Sequence, residues 1–321
     1  MNNAEKKSLY WAVDIGGTKI LLVIIDEQGR VLYRKRTTTP GPADPEAVVD
    51  RTCAIIEDAS GQEKLQGINM PSKIGVCIAG FTDYHTGLVH RAPNLEWIKP
   101  VPLGRLISDK LACPVLVEND ANAAVLGEVY FGAARGHDNV IYVTISTGIG
   151  GGHFLNGRLY RGRDGFAGEI GHIKPYGKGR PCKCGGFDCL ETWASGSAIA
   201  ASASELWGKD NFSGEKTIST EWVFNQADAG SRPAQKIIEH AITNIGRGLA
   251  NLVTLLNPSC LVIGGGVAAN RPGFMEQVIA QLKKEAIRPA VEITPIKIVA
   301  AGLEPEAGIW GMYALLTGRA V

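Results

Sequence analysis

Carboxylates, glycines, hydroxyls and thiols gather at a few places along the chain in combinations that suit phosphate, metal and hydroxyl chemistry. The first is Asp14-Ile15-Gly16-Gly17-Thr18-Lys19, set between the apolar runs Tyr10–Val13 and Ile20–Ile25. A carboxylate at a strand end can hold a hydrated Mg2+, paired glycines let backbone N–H groups approach phosphate, and a hydroxyl adds a donor. The same residues also suit a plain tight turn between two strands. Ser146-Thr147-Gly148-Ile149-Gly150-Gly151-Gly152 repeats the design between strand Val140–Ile145 and strand His153–Leu155, which Asn156-Gly157 turns into Arg158–Tyr160. Two copies of strand, glycine loop, strand, turn and strand predict a duplicated domain whose loops face one another across a cleft. Donors from both sides would then converge on the β- and γ-phosphates of a nucleoside triphosphate while Asp14 carries the metal. Neither loop fits Gly-x-x-x-x-Gly-Lys-Ser/Thr, and no helix begins directly after either.

Between Glu169 and Glu191 lie His172, Cys182, Cys184 and Cys189. Three thiolates and an imidazole are a sufficient tetrahedral set for zinc, with Cys182 and Cys184 on one tight turn and Gly185-Gly186 letting the loop bring Cys189 round. Chance or a redox role is the competing account of three cysteines in one loop. Four protein ligands leave no open position for water, so such a site is structural. It would fix Glu169 and Glu191 as acceptors for the hydroxyls of a polyol. Glu118-Asn119-Asp120 emerges at the carboxyl end of an apolar strand, where open sheets place ligands. A hydroxyl attacking phosphorus needs a base, and Asp120 is the candidate, with Asn119 partnering a neighbouring hydroxyl. The alternative for Asp120 is an N-cap of the alanine-rich helix that follows. Glu118 differs in parity along the strand and carries no assigned role.

A chain of 321 residues exceeds a usual single core, and two domains are expected. A net charge of +1 offers no long-range field for nucleic acid. Basic clusters at Tyr33–Arg36, Arg158–Arg163 and Lys174–Lys183 are each followed by acidic residues, which fits solvated loops around an anionic substrate. No apolar run reaches membrane-spanning length and Met1–Lys7 lacks the apolar core of a signal peptide, so a cytoplasmic protein without a membrane partner is expected. Cys53, Cys77, Cys113 and Cys260 lie singly in apolar stretches and suit buried positions, and the odd total of seven cysteines does not suit a disulfide framework.

The elements that must position these groups follow from apolar periodicity and from proline and glycine punctuation. Strands alternate with turns to Thr37. A helix starts near Asp44, with Pro45 in its first turn, and runs to about Ala59; Lys73–Ala79 is a buried strand, and a loop continues to Trp97. A helix over Leu103–Leu111, a strand at Pro114–Val117 and a helix to Tyr130 complete the order βββαβαβα. The second half repeats it more loosely, with helices near Ser197–Trp207, Glu221–Ala227 and Pro233–Leu256. Strand Cys260–Ile263 ends in Gly264-Gly265-Gly266, and helix Pro272–Ala286, strand Ile296–Ala300 and helix Glu306–Leu316 follow. The last helix is expected to pack back on the first domain. The domains are placed at 1–118 plus 303–321 and at 119–302, with hinges near Glu118–Asp120 and Ala301–Glu304 that let the cleft close on substrate. Trp193, Trp207 and Trp222 suit either an interface or a buried core.

Asp14–Lys19, Glu118–Ala124, Thr147–Gly152, Glu169–His172, Cys182–Glu191 and Leu261–Val267 stand in the order and spacing of the ROK family of bacterial sugar kinases and repressors. The chain most resembles its glucokinase branch over nearly its whole length. The resemblance implies an α/β fold, the duplicated actin-like ATPase (ribonuclease H-like) fold of hexokinases, with two domains and a central cleft. It implies ATP and Mg2+, a structural Zn2+ on His172, Cys182, Cys184 and Cys189, and Asp120 as the base acting on the 6-hydroxyl of a hexose such as glucose. Sugar contacts carry over to Gly80, Asn94, Asn119, Asp120, Glu169, His172 and Glu191. The phosphate loops correspond to Asp14, Gly16, Gly17, Thr18 and Lys19 and to Thr147 and Gly148, and the adenosine loop to Gly264, Gly265 and Gly266. A homodimer or dimer of dimers is also implied.

Two positions depart from the family pattern. Asp188 replaces the usual glycine before the last cysteine, and Ala79-Gly80-Phe81 lacks the proline that many relatives carry before that glycine. N-acetylmannosamine or N-acetylglucosamine kinase and fructokinase are the alternatives within the family; Phe81 would close the space beside the sugar 2-position and favour an unsubstituted hexose. The repressors of the family carry a helix-turn-helix ahead of the first phosphate strand. Met1–Leu9 is too short for one, and a repressor is the disfavoured alternative.

Overall fold

Apolar strands and half-apolar helices build the same strand plan twice. In the computed structural model, residues 8–41, 44–61, 70–175, 177, 179–208, 218–271 and 273–320 are described. The first copy contains β1 (Leu9–Ile15), β2 (Lys19–Asp26), β3 (Val31–Thr38), α1 (Pro45–Ser60), β4 (Ile74–Ile78), β5 (Phe81–Asp83), β6 (Leu88–Arg91), α2 (Leu103–Leu111), β7 (Val115–Asn119) and α3 (Asp120–Tyr130). The second begins with β8 (Val140–Ile145), β9 (Ile149–Leu155) and β10 (Arg158–Leu159) and continues through α4 (Leu190–Ala194), α5 (Gly196–Trp207), α6 (Thr220–Asp228) and α7 (Arg232–Leu256). It ends with β11 (Cys260–Gly264), α8 (Gly266–Ala269), α9 (Phe274–Glu285), β12 (Lys297–Ala300) and α10 (Ala307–Leu316). The two sheets have the orders β3-β2-β1-β4-β7 and β10-β9-β8-β11-β12, so each places its first strand in the middle, an antiparallel hairpin on one side and two parallel strands on the other. This is the duplicated ribonuclease H-like plan of the actin-like ATPases.

The chain divides into two compact units, Met1–Gly136 with Gly152–Ala167 and Pro305–Val321, and His137–Gly151 with Gly168–Glu304. The division expected at 118/119 thus falls after α3, and the stretch Gly152–Ala167 also groups with the first unit. Packing explains the place of α3: a Cβ on its Gly127 would strike the Ala307 carbonyl, and one on Gly311 of α10 would strike Ala123, so the helices meet backbone to backbone. The final helix packs in the first unit as its apolar sequence demands, with Ile309, Met312 and Tyr313 buried beside Ala12, Val23 and Cys77.

In that unit Trp11, Val13, Ile15, Ile20, Leu22 and Ile24 face α1 and α2, while Ala12, Leu21, Val23 and Ile25 face α3 and α10. Cover on both faces is why β1, β2 and β4 read as continuous apolar runs without alternation. Asp44 caps α1 by accepting from the Glu46 N–H, and Pro45 takes the first turn. The stretch before Trp97, expected to be loop, holds the β5–β6 hairpin and a 3₁₀ turn at Pro93–Leu95. Strands of three and four residues are too short for periodicity to reveal. Helix α9 starts at Phe274; Pro272, expected as its start, lies outside the described residues. In the second unit Ile141, Val143, Ile145, Leu261 and Ile263 form one core with Ile245, Leu249 and Leu282. Trp193, Trp207 and Trp222 pack on the rim of that core, Trp207 and Trp222 edge to face at 5.5 Å. No helix among the described residues is long and apolar enough to cross a membrane.

Candidate functional site

In the first unit the Asp14–Lys19 segment is a β1–β2 hairpin turn closed by the Gly16 N–H on the Lys19 carbonyl at 2.9 Å. Thr39 braces it from outside, its hydroxyl donating to the Gly16 carbonyl (2.7 Å) and its N–H to that of Thr18 (3.1 Å). Gly17 and Thr18 are exposed. Gly17 has no room for a side chain because a Cβ there would lie 2.7 Å from the Asn94 carbonyl oxygen. Asn94 therefore meets the first glycine loop through its backbone. Lys19 is the first residue of β2, next to the turn.

Asp14 pairs with Cys77 across β1 and β4, its Oδ1 3.8 Å from the thiol. Burial pushes that thiol well above its usual range, and both Asp14 and Asp120 push it further in the same direction. Two carboxylates, one near the end of β1 and one directly after β7, thus act on one neutral thiol of β4, the strand between them. Asn119 ends β7 and caps α3, its Oδ1 accepting from the Ala121 and Asn122 N–H groups at 2.9 and 3.0 Å while its Nδ2 donates to the Gly80 carbonyl at 3.0 Å. The capping role considered for Asp120 thus belongs to Asn119. Asp120 occupies the first helical position, its Oδ1 accepting from the Ala121 N–H at 2.9 Å.

Glu118, without a role in the sequence, is 2 % exposed. It accepts from the Asn119 N–H (3.0 Å), Asn122 Nδ2 (3.1 Å) and Arg161 Nε (2.7 Å). Arg161 lies 43 positions away, and no spacing rule connects the two.

In the second unit the glycine loop is shorter than its sequence suggested. Ile149–Gly152 belong to β9, and the turn is Ser146–Gly148, closed by the Ser146 N–H on the Gly148 carbonyl at 2.9 Å. The later glycines serve packing: a Cβ on Gly151 would strike Ile170, and one on Gly152 the Ala121 carbonyl. The start of α5 holds the turn, the Gly196 N–H donating to Ser146 (2.8 Å) and the Ser197 hydroxyl to the Thr147 carbonyl (2.8 Å). Glu191, on α4, accepts the Ile149 N–H at 3.0 Å through Oε2, an approach that a side chain on Gly148 would block.

Glu169 precedes a 3₁₀ turn, Ile170–His172, whose Gly171 lies too close to the Ile149 carbonyl to carry a side chain. His172 Nε2 stands 3.8 Å from Glu169 Oε2, and its Nδ1 turns the other way, 3.7 Å from Cys182 Sγ. The ligand atoms of His172, Cys182, Cys184 and Cys189 all lie within 4.8 Å of one another, with Cys184 and Cys189 Sγ 3.7 Å apart. That separation is far longer than a disulfide bond of about 2.05 Å. It matches the sulfur–sulfur edge of roughly 3.8 Å that bonds of about 2.3 Å to a tetrahedral zinc require. Burial keeps His172 below its usual range, which favours the neutral ligating form, and burial together with the neighbouring sulfurs pushes Cys189 up to about 12. Crowded thiols of this kind ionise together only when a cation is present, so the donor set fits a metal.

Gly264-Gly265-Gly266 bridges β11 and α8. Glu304 Oε1 accepts from the Gly265 N–H at 3.1 Å and from the Tyr142 hydroxyl at 2.6 Å. Beside it lies a cavity of about 260 Å³ whose lining includes Ile263, Ala268, Met275, Glu276, Ala301 and Glu304. Glu304 had no signal in the sequence beyond its nearness to the last strand.

The model of the ROK family matches residues 10–319. A glucokinase of Streptomyces coelicolor is 32 % identical over 316 residues, covering 93 % of this chain and 94 % of that protein. A crystal structure of a ROK family glucokinase from Streptomyces griseus, in complex with glucose and AMPPNP, is 34 % identical with a TM-score of 0.79, covering 96 % of this chain and 98 % of that one. The bifunctional enzyme NanE/NanK of Brucella melitensis is 35 % identical over 313 residues, 97 % of this chain and 54 % of its own length. By both sequence and strand plan, the chain belongs to the ROK family.

Proposed function

We propose that the protein is an ATP-dependent hexose kinase that phosphorylates glucose at the 6-hydroxyl. The observation that carries this reading is the pair of carboxylates, Asp14 near the end of β1 and Asp120 directly after β7, on the two strands that flank β4, with Cys77 of β4 3.8 Å from Asp14 Oδ1. One can hold a hydrated Mg2+ and the other can take a proton, which is the division of labour phosphoryl transfer requires. Asp120 accepts the proton of the attacking hydroxyl, and Asn119 holds the turn that carries it. Glu169, His172 Nε2 and Glu191 accept or orient sugar hydroxyls, with Gly80 and Asn94 as further contacts. The hairpin Asp14–Lys19 and Thr147-Gly148 receive the phosphates, and the cavity beside Gly264–Gly266 receives the nucleoside. Mg2+ bound with ATP would neutralise charge on the phosphate oxygens. Zinc on His172, Cys182, Cys184 and Cys189 would hold Glu169 and Glu191 in register. Metal analysis of protein purified without added zinc should give one zinc per chain; folded, active protein with none would remove this support. A homodimer or dimer of dimers and a cytoplasmic location complete the reading.

A coupled spectrophotometric assay with ATP and glucose, mannose, fructose, N-acetylglucosamine or N-acetylmannosamine tests the assignment. Glucose should give the highest kcat/KM. A clear preference for N-acetylmannosamine would instead support the second reading, which the likeness to a Listeria monocytogenes structure described as an N-acetylmannosamine kinase (25 % identical, TM-score 0.79) favours. Against it we read Phe81, next to Gly80 and packed edge-on against Phe166 at 5.9 Å, as the side chain that would close the space beside the sugar 2-position.

A further inference from the structure

We infer that Arg161 is a positioning residue for the catalytic turn, acting through Glu118 to hold Asn119 and Asp120 in place. This rests on the assignment of Asp120 as the base. Glu118 sits at the end of β7 with its side chain 3 % exposed, and a carboxylate so buried is tolerated only when its charge and lone pairs are matched. Two of the three donors that match it are local, and the third comes from 43 residues away. Oε1 takes the N–H of Asn119, the residue that caps α3, and Nδ2 of Asn122 in the first turn of that helix. Oε2 takes Arg161 Nε at 2.7 Å, and Arg161 brings the only positive charge among these donors.

Arg161 is itself fixed. Its side chain is 18 % exposed, and its guanidinium lies 4.2 Å from the centroid of the Tyr84 ring, in the turn between β5 and β6. The loop that follows rests on the same hairpin. Gly165, at φ +89°, lies too close to the Thr82 carbonyl to carry a side chain, and Phe166 packs edge-on against both Phe81 (5.9 Å) and His90 (5.4 Å). The loop closes on itself through the Ala167 N–H and the Arg161 carbonyl at 3.1 Å. The hairpin leads back to Gly80, whose carbonyl accepts from Asn119 Nδ2. Asn119 is therefore gripped twice, at its N–H by Glu118 and at its side chain by Gly80, and Arg161 anchors the segments that supply both grips.

The physical consequence concerns geometry more than stability. A buried ion pair is a weak source of net stability, but removing one partner leaves the other charged and unpaired in a dry site. With Arg161 gone, Glu118 must turn toward water, releasing the Asn119 N–H and the Asn122 amide. The first turn of α3 then loses its fixed orientation, and with it the aim of Asp120. A displacement of about 1 Å at a reacting group can lower a rate by a hundredfold.

The test compares Arg161→Met, Arg161→Lys, Glu118→Gln with Arg161→Met, and Asp120→Ala by steady-state kinetics and thermal unfolding. Arg161→Met should lower kcat by about tenfold or more while the KM for ATP stays within about twofold, because the nucleotide contacts are untouched. Arg161→Lys should recover part of the loss. Adding Glu118→Gln to Arg161→Met should recover roughly threefold or more, since a neutral amide can stay buried and still accept from the Asn119 N–H. If Arg161→Met does not fold, the lysine variant and the double variant carry the same comparison. A kcat within about twofold of wild type in Arg161→Met, with Asp120→Ala inactive, would overturn the inference and leave the base assignment standing. A double variant no better than the single one would likewise overturn it. An active Asp120→Ala would instead remove the assignment on which the inference rests.

Discussion

Laid side by side, the two strand-turn-strand copies differ at the positions that matter for chemistry. Val13-Asp14-Ile15 at the end of β1 corresponds to Val143-Thr144-Ile145 at the end of β8, so the carboxylate suited to a cation exists only in the first copy. Gly16-Gly17-Thr18 corresponds to Ser146-Thr147-Gly148, and the apolar Ile20-Leu21-Leu22 to Gly150-Gly151-Gly152. The fifth strands diverge as well. β7 runs straight into Asn119-Asp120 and a helix, whereas β12 ends in Ala301-Gly302 and delivers Glu304 to the Gly264–Gly266 turn. One duplicated scaffold has thus put both carboxylates proposed for the chemistry, Asp14 and Asp120, in one copy. The other copy received glycines, supporting hydrogen bonds and the cysteine segment.

The largest effect should come from the first copy. Asp120→Ala, and separately Asp120→Asn, should lower kcat by on the order of a hundredfold or more while ATP binding, measured by calorimetry, persists. A near-normal rate would reduce Asp120 to the opening residue of α3 and erase the asymmetry between the fifth strands.

The two glycine loops sharpen the comparison because each borders a predicted sugar contact in a different way. At Gly17 the obstacle to a side chain is the Asn94 backbone carbonyl, which cannot move without the chain; at Gly148 it is the Glu191 carboxylate, which can swing. Gly17→Ala should therefore destabilise the fold by about 1–3 kcal/mol in urea unfolding and raise the KM for ATP. Gly148→Ala should lose under about 1 kcal/mol of stability, yet raise the KM for sugar and for ATP together, because Glu191 gives up the Ile149 N–H. The reverse pattern would show that the second loop, not the first, is the rigid one.

Much of this was legible in the sequence, and the limits have physical reasons. The hairpin Asp14–Lys19, the cap at Asp44 and helix α2 were readable because local residue types dictate them. The cluster of His172 with three cysteines was readable because few other environments bring those ligands so close in sequence. What stayed hidden depends on distance along the chain. Glu118 meets Arg161 across 43 residues, and nothing in its own neighbourhood predicts the partner. Gly151 and Gly152 looked like loop because glycine freedom and glycine close packing leave the same mark in a sequence.

A third difference between the copies predicts a pH effect. Where β2 has Val23, β9 has His153, 8 % exposed with no partner for Nε2 among the described residues, and burial lowers its pKa to about 4. Above pH 6.5 the ring is neutral folded or unfolded and imposes no penalty. As pH falls below 6.5 the unfolded chain takes up a proton that the folded protein refuses until about pH 4, so stability declines through that window. The wild type should lose about 2 kcal/mol more between pH 7 and pH 5 than His153→Val, which copies the first repeat. His172 is depressed in the same direction but is present in both proteins, so the difference isolates His153. Parallel pH profiles in urea unfolding would mean that the buried ring has found a compensating partner.

The smallest effect, from a single substitution to glycine, is expected in the segment that the first copy lacks altogether. β3 leads to α1 through a few residues, whereas β10 is separated from α4 by the stretch that holds the cysteines, and Asp188 lies there at φ +57°, a conformation that favours glycine. Its side chain offsets the strain: Oδ2 accepts from the Gly179 N–H at 2.8 Å and Oδ1 from the Arg180 N–H at 2.9 Å, while its own N–H donates to the Arg180 carbonyl at 2.7 Å. Arg180 in turn makes a two-pronged pair with Glu205 on α5. Asp188→Gly should therefore be nearly neutral, relief of strain balancing the lost carboxylate bonds. Asp188→Ala keeps the strain and loses the bonds, and should cost about 1–2 kcal/mol. If both variants unfold at the wild-type temperature, the carboxylate bonds contribute nothing, and the turn is held by the cysteines beside it.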